Sequence, residues 1–160
     1  MNSREAIRLS LDTGHMVFSA YLEGLSDADL MRRASPGINH INWQVGHLIV
    51  AENQMVGKAC PAAMPTLPAG FAEKYAKETA GCDDASQFCS KAELLSAASE
   101  QRAATLAALE KLSDSDLDQP TGIPYAPTVG SVFSLQGSHA LMHAGQWAVV
   151  RRQLGHPPLF

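Results

Sequence analysis

The chain has 160 residues, 46% of them apolar and 18% charged, with a formal net charge of −4. That is enough apolar material for one folded domain spanning 1–160 and too little charge for a disordered chain. The acidic balance also excludes the broad basic face of a nucleic-acid binder, and no apolar run approaches the ~20 residues that cross a bilayer.

The opening stretch carries charges but no apolar core of a secretory signal, so a cytoplasmic protein is expected. Cys60, Cys82 and Cys89 are odd in number and unrelated in spacing, which suits free thiols in a reducing compartment.

In chain order, Ile7, Leu11, Val17, Phe18, Tyr21, Leu22 and Leu25 recur at threes and fours. That period predicts an amphipathic helix over 4–24. Ser26-Asp27 opens a short turn ending at Leu30, and Pro36-Gly37 breaks the chain. A second helix is predicted over 40–59, with Ile41, Val45, Leu48, Ile49 and Met55 inward and Asn39 or Asn42 as its cap. Pro61, Pro65 and Pro68 stop it, and 71–79 reads as a short helix.

Ser90 and Glu93 form a capping-box pattern that opens a third helix over 91–112, with Leu94, Leu95, Ala98, Leu106 and Leu109 on its inner side. Residues 114–130 are rich in turns, with Pro120, Pro124 and Pro127. The fourth helix spans 131–154. Gly155 stands at its C′ position, and Arg151 and Arg152 lie at the negative end of its dipole. No segment shows a period of two, so the fold class is all-α, a four-helix bundle. The connection between helices 2 and 3 is about thirty residues, long enough to run the length of a bundle, so those helices need not be antiparallel neighbours.

Six histidines carry the chemistry: His15, His40, His47, His139, His143 and His156. His139 and His143 are four apart, which on a helix sets both imidazoles on one face, about 5–6 Å apart. That face also carries Val132, Gln136, Gln146, Trp147 and Val150, so it points inward. Two unpartnered imidazoles there would be costly, and ligation of one divalent ion would satisfy both. A third ligand is wanted. His47, mid-helix among apolar residues and next to Gly46, competes with His40, seven residues earlier on nearly the same face. His15 reads as half-buried or at the surface, and His156 as solvated.

The segment Ile41-Asn42-Trp43-Gln44-Val45-Gly46-His47-Leu48, the following Ala51-Glu52, and the C-terminal His139-Ala-Leu-Met-His143-Ala-Gly-Gln146 with Arg151-Arg152-Gln-Leu-Gly155 together resemble the DinB-like (YfiT-like) family. The resemblance covers nearly the whole chain in order. It implies an up-down-down-up four-helix bundle, a homodimer, and a divalent metal, often nickel or zinc. The metal would be held by one histidine of helix 2 and two of helix 4. Carried to this chain, the ligands are His47, His139 and His143.

Three neutral imidazoles leave coordination open for water or substrate, the mark of a catalytic site. The family's link to thiol transferases implies a small-molecule substrate, such as a low-molecular-weight thiol, for a transferase or hydrolase. The competing reading is a non-catalytic metal-binding or stress-response interaction protein. Glu52 is expected in an ion pair with Arg151 or Arg152 rather than as a base. Gln44, Gln136 and Gln146 each lie three residues from a candidate ligand, where they either orient it or serve as plain helix-face amides. Tyr125 is expected as a surface or packing residue rather than one reaching over the site, Met16 and Met142 in the core, and proton competition is expected to weaken metal binding below about pH 6.

Overall fold

The computed structural model describes all 160 residues. Seven helices and one hairpin form in the order α1 (Ser3–Leu22), α2 (Asp27–Leu30), α3 (Ile41–Ala59), α4 (Phe71–Lys74), α5 (Lys91–Leu109), α6 (Asp114–Leu117), β1 (Pro120–Ile123), β2 (Ala126–Thr128) and α7 (Val129–Gln153). The four long helices are those the periodicity predicts. Their starts are chemical. Asn2, Ser90 and Thr128 each accept from the backbone N–H three residues on and form reciprocal capping boxes. Gly155 takes a positive φ of 85° just past α7, as a C′ glycine does.

Two expectations are corrected here. The cap of α3 is neither Asn39 nor Asn42. It is His40, whose Nδ1 accepts from the Trp43 N–H at 3.0 Å. The turn-rich stretch also contains a two-stranded antiparallel hairpin, β1 with β2, pairing Pro120 with Thr128 and Ile123 with Ala126. Its strands are four and three residues long and interrupted by prolines, too short to display a period of two.

The long helices meet around a ring, α1 on α7, α7 on α3, α3 on α5 and α5 on α1. Side-chain bonds give the register. Ser10 donates to the Ser134 carbonyl and Arg151 to those of Tyr21 and Glu23. Gln44 meets His143 while Gln136 meets Met55. Asn42 reaches the Cys89 carbonyl while Arg102 reaches Glu52.

Apolar residues gather in two clusters. One, with Phe18, Leu22, Ile49 and Trp147, fills the end where α3 begins. The other, with Leu11, Val56, Leu109 and Phe133, fills the end where α7 begins. Met16 and Met142, expected in the core, lie outside it at 53% and 63% exposure. Met16 sits about 140° from Leu11 and 160° from Phe18 around α1, on the far side of the buried stripe.

The α1–α7 crossing is the closest in the bundle. A Cβ at Gly137 would lie 2.2 Å from the Ser10 carbonyl oxygen, and one at Gly14 would lie 2.6 Å from that of Gly137. Both obstacles are backbone, which cannot rotate away. Gly137→Ala is therefore expected to force the helices apart and to cost about 1–3 kcal/mol, the range for overpacking a filled core. Urea unfolding measures it, and a variant as stable as wild type would show that the crossing is slack.

Candidate metal centre

His47, His139 and His143 converge. Their ring centroids are 4.9–5.6 Å apart pairwise, and one ligand nitrogen from each can be chosen so that all lie within 4.8 Å of one another. The α7 pair is closer still, with His139 Nε2 and His143 Nε2 3.2 Å apart. Two nitrogens each about 2.0–2.1 Å from one ion at tetrahedral or octahedral angles stand about 2.9–3.4 Å apart, so the pair is spaced for shared ligation. No fourth His, Cys, Asp or Glu donor joins the three.

The tautomer of His143 follows from its neighbours. Trp147 Nε1–H can only donate, and it donates to Gln44 Oε1 at 2.9 Å. That fixes the Gln44 amide with its oxygen toward α7. Its Nε2 then donates to Gln146 Oε1 at 2.9 Å and to the Asn39 carbonyl. His143 Nδ1 lies 2.9 Å from the same Gln44 oxygen, so it carries the proton. The Nε2 lone pair of His143 is thereby left facing His139 and His47. A partner that holds the second nitrogen of a ligand in this way is characteristic of metal sites.

His47 is steadied differently. Its ring stacks on Trp43 at 5.0 Å and 6°. The Trp43 indole N–H is in turn held by Thr79 Oγ1 at 3.0 Å and the Ala76 carbonyl at 3.2 Å. Next to it, Gly46 leaves the notch that Tyr75 fills, since a Cβ there would sit 2.2 Å from the tyrosine ring.

His40 stands apart from the three. It is fully buried, caps α3 through Nδ1, and donates from Nε2 to the Cys82 carbonyl at 3.2 Å, so both ring nitrogens are engaged. Of the three glutamines, Gln44 holds a candidate ligand, Gln146 holds Gln44, and Gln136 turns to its own helix at the Val132 carbonyl. Tyr125 is at the surface, 73% exposed at the hairpin tip.

Glu52 is paired as expected, but with another partner. Arg102 Nη2 donates to it at 3.0 Å and Thr105 Oγ1 at 2.6 Å, both from α5. Arg151, one of the two partners expected, instead caps the end of α1. Burial pushes the Glu52 carboxyl above its usual range, against the pull of Arg102 and Thr105.

Burial also governs the imidazoles. It pushes His139 down to about 4 with help from His47, pushes His143 down to about 4 with help from His139 and His47, and lowers His47 on its own. His40 falls to about 4 for the same reason, with Arg33 adding to it. In the folded protein His139, His143 and His40 therefore stay neutral well below pH 6, and the lowering of His47 acts in the same direction, so the onset of proton competition moves below the expected pH 6. An unfolded chain protonates its histidines near 6.5, so below that value it takes up protons the folded state refuses. Stability of the metal-free protein should be full above pH 6.5 and fall steadily from there toward pH 4. Urea midpoints across that range test it, and a flat profile would contradict the burial of the cluster.

A family model described as the DinB superfamily matches residues 10–147. Among solved structures, the chain is similar to a crystal structure of a conserved protein from Enterococcus faecalis, at 16% identity and a TM-score of 0.70, covering 97% of this chain and 99% of that one. At that identity the likeness speaks for the fold alone. No curated protein matches the chain.

Proposed function

The chain belongs to the DinB superfamily, and from that premise we propose that it is a metal-dependent enzyme, a thiol S-transferase or hydrolase acting on a small molecule. Its ligands are His47, His139 and His143, and its ion is nickel or zinc. The observation that carries this is the Trp147–Gln44–His143 chain, which spends a buried amide on aiming one imidazole lone pair at two others. Three imidazoles with no fourth protein donor favour an enzyme over a closed structural site. When bound, such an ion supplies a Lewis acid with open positions, able to lower the pKa of a water or a thiol. The chain's own part is to hold the rings neutral by burial, to fix the His143 proton on Nδ1 through Gln44, and to hold the plane of His47 against Trp43.

The bundle is threaded up-down-down-up in this reading, supported by the registers of α1 with α7 and α3 with α5. The protein is cytoplasmic, which suits its three free cysteines. No helix is long and apolar enough to cross a membrane. Element analysis of untagged protein, paired with a screen for thiol transfer to small electrophiles, tests the function. Metal bound in stoichiometric amount with thiol-dependent turnover is expected, and protein purified without metal that gains no activity on adding zinc or nickel would overturn it.

The chain also forms a homodimer. Between Val129 and Val150 α7 has no Asp, Glu, Lys or Arg, yet it exposes Leu141, Met142 and Val149, and its neighbour α1 exposes Leu9 and Met16. A second copy covers this face. Sedimentation should give a two-chain species at micromolar concentration, and a 17.1 kDa species throughout that range would exclude it.

A further inference from the structure

The proline-rich strap that follows α3 lies against the first turns of α5, and between them is a pocket of about 360 Å³. That volume falls within the ~300–1,000 Å³ of small-molecule sites. Leu67, Phe71 and Ala97 give it apolar walls, and Cys89 and Lys74 stand together in its lining. The α5 wall runs from Glu93 through Ser96 and Ala97 to Glu100, spaced three and four apart, so the groove follows one face of that helix for about 10 Å. Cys89 precedes α5 and marks the end of the groove near Glu93.

Cys89 is presented from a fixed frame. Tyr75 Oη accepts from its backbone N–H at 3.0 Å and donates to Asn42 Oδ1 at 3.2 Å, while Asn42 Nδ2 donates to the Cys89 carbonyl at 2.7 Å. Both backbone groups are tied to α3, and the half-buried side chain lines the pocket. Lys74 Nζ donates to Cys89 Sγ at 4.0 Å. No carboxylate lies within ion-pair distance of that ammonium. Cys89 also stands just before Ser90, the N-cap of the 19-residue α5, at the positive end of its dipole. Thiolate is the form of sulfur that attacks, and a cation and a helix N-terminus are the neighbours that stabilise it. Glu93 is the opposing charge, and its carboxylate is turned to Ser90, accepting from the N–H and Oγ. The other two thiols have different surroundings. Burial, with Asp116 adding to it, pushes the Cys60 thiol up, and Cys82 is followed directly by Asp83 and Asp84.

We propose that Cys89 is a modification site and that this pocket receives a low-molecular-weight disulfide, R–S–S–R, which leaves half of itself on the protein. Cys89 Sγ gives its proton to solvent and attacks one sulfur of the disulfide. The new Sγ–S bond forms as the old S–S bond breaks, and the electron pair leaves on the second sulfur. That thiolate takes a proton from Lys74, which solvent restores, and departs as R–SH. Cys89 is oxidised to the mixed disulfide and the departing half is reduced, so the disulfide is its own oxidant. The three sulfurs in line span about 4 Å, which leaves most of the groove for the two arms, and its apolar walls favour arms that shed their water. None of this uses the three histidines, so it is independent of the metal reading.

In the experiment the reduced full chain is treated with bis(2-hydroxyethyl) disulfide, and mass spectrometry of its peptides follows each cysteine with time. Cys89 should take up one hydroxyethylthio group at least about tenfold faster than Cys60 or Cys82, and dithiothreitol should remove it. Lys74→Met should slow Cys89 about tenfold and leave the other two cysteines unchanged. Ser96→Trp, at an exposed position on the α5 wall, should slow the disulfide at Cys89 while leaving its reaction with the smaller iodoacetamide unchanged. This second variant keeps the test decisive should Lys74→Met disturb the short α4. Uptake at Cys60 or Cys82 as fast as at Cys89 overturns the site. An unchanged Cys89 rate in Lys74→Met overturns the part given to the ammonium. Equal slowing of both reagents in Ser96→Trp, or slowing of neither, overturns the pocket.

Discussion

Replacing His47, His139 or His143 with alanine should lower divalent-metal affinity by at least about 100-fold, since even losing a partner that orients a ligand costs about 10–100-fold. Each imidazole supplies one of three protein bonds, and water must complete what is removed. Gln44→Leu should reach the 10–100-fold range, because the His143 Nδ1 and Trp147 indole protons lose their shared acceptor. His15→Ala and His156→Ala should leave affinity unchanged. His40→Ala should keep the metal and lose stability, since it removes a helix cap and leaves the Trp43 N–H without its side-chain acceptor. Metal retained per chain after dialysis against a chelator is the measurement. Full content in His47→Ala with loss in His40→Ala would name a different third ligand, and content kept by His139→Ala and His143→Ala together would abolish the site.

The second large effect is on stability. Glu52→Ala should cost about 3–5 kcal/mol, because it leaves the Arg102 guanidinium buried without its counter-charge. Arg102 is poorly placed to find another partner. Its Nε and Nη1 already have none, and it lies at the waist between the two apolar clusters. Removing both charges, with Glu52→Met and Arg102→Met, should recover most of the loss, since an apolar pair of similar volume replaces two desolvated ions. Urea denaturation of the three variants decides it. A single variant losing under about 1 kcal/mol would mean that water reaches the guanidinium.

What the sequence disclosed was what local chemistry sets. The four helices announce themselves through threes and fours of apolar residues, and their caps through Ser90-Glu93 and Gly155. His139 and His143 are legible because four residues is one turn of a single helix. His47 depends on how α3 docks against α7; its mid-helix place among apolar residues favours it over His40, which stands at a helix start beside Asn39 and Pro36-Gly37, and family likeness supports the same choice. The spacing rule sees both rings on one face and cannot see that one of them is spent on a cap. The arginine that pairs with Glu52 is likewise set by docking, here of α5 on α3, which no local spacing reveals. Met142, whose helical spacing suggests core, lies outside it, on a helix with no acidic or basic residue before Arg151 to mark its outer side. The hairpin hid behind Pro120, Gly122 and Pro124.

The glycine crossing of α1 and α7 gives the molecule an uneven stiffness. Those two helices touch backbone to backbone at Gly14 and Gly137, whereas α3 meets α7 at the histidines through long side chains, Gln44, Gln146 and the imidazoles. The first pair opens only by losing close packing along two turns, while the second separates by breaking a handful of polar links. Amide hydrogens of α3 around His47 should therefore exchange with solvent through smaller excursions than those of α7 around Gly137. An ion shared across the seam would act as a rivet in the weaker joint, slowing exchange in α3 far more than in α1.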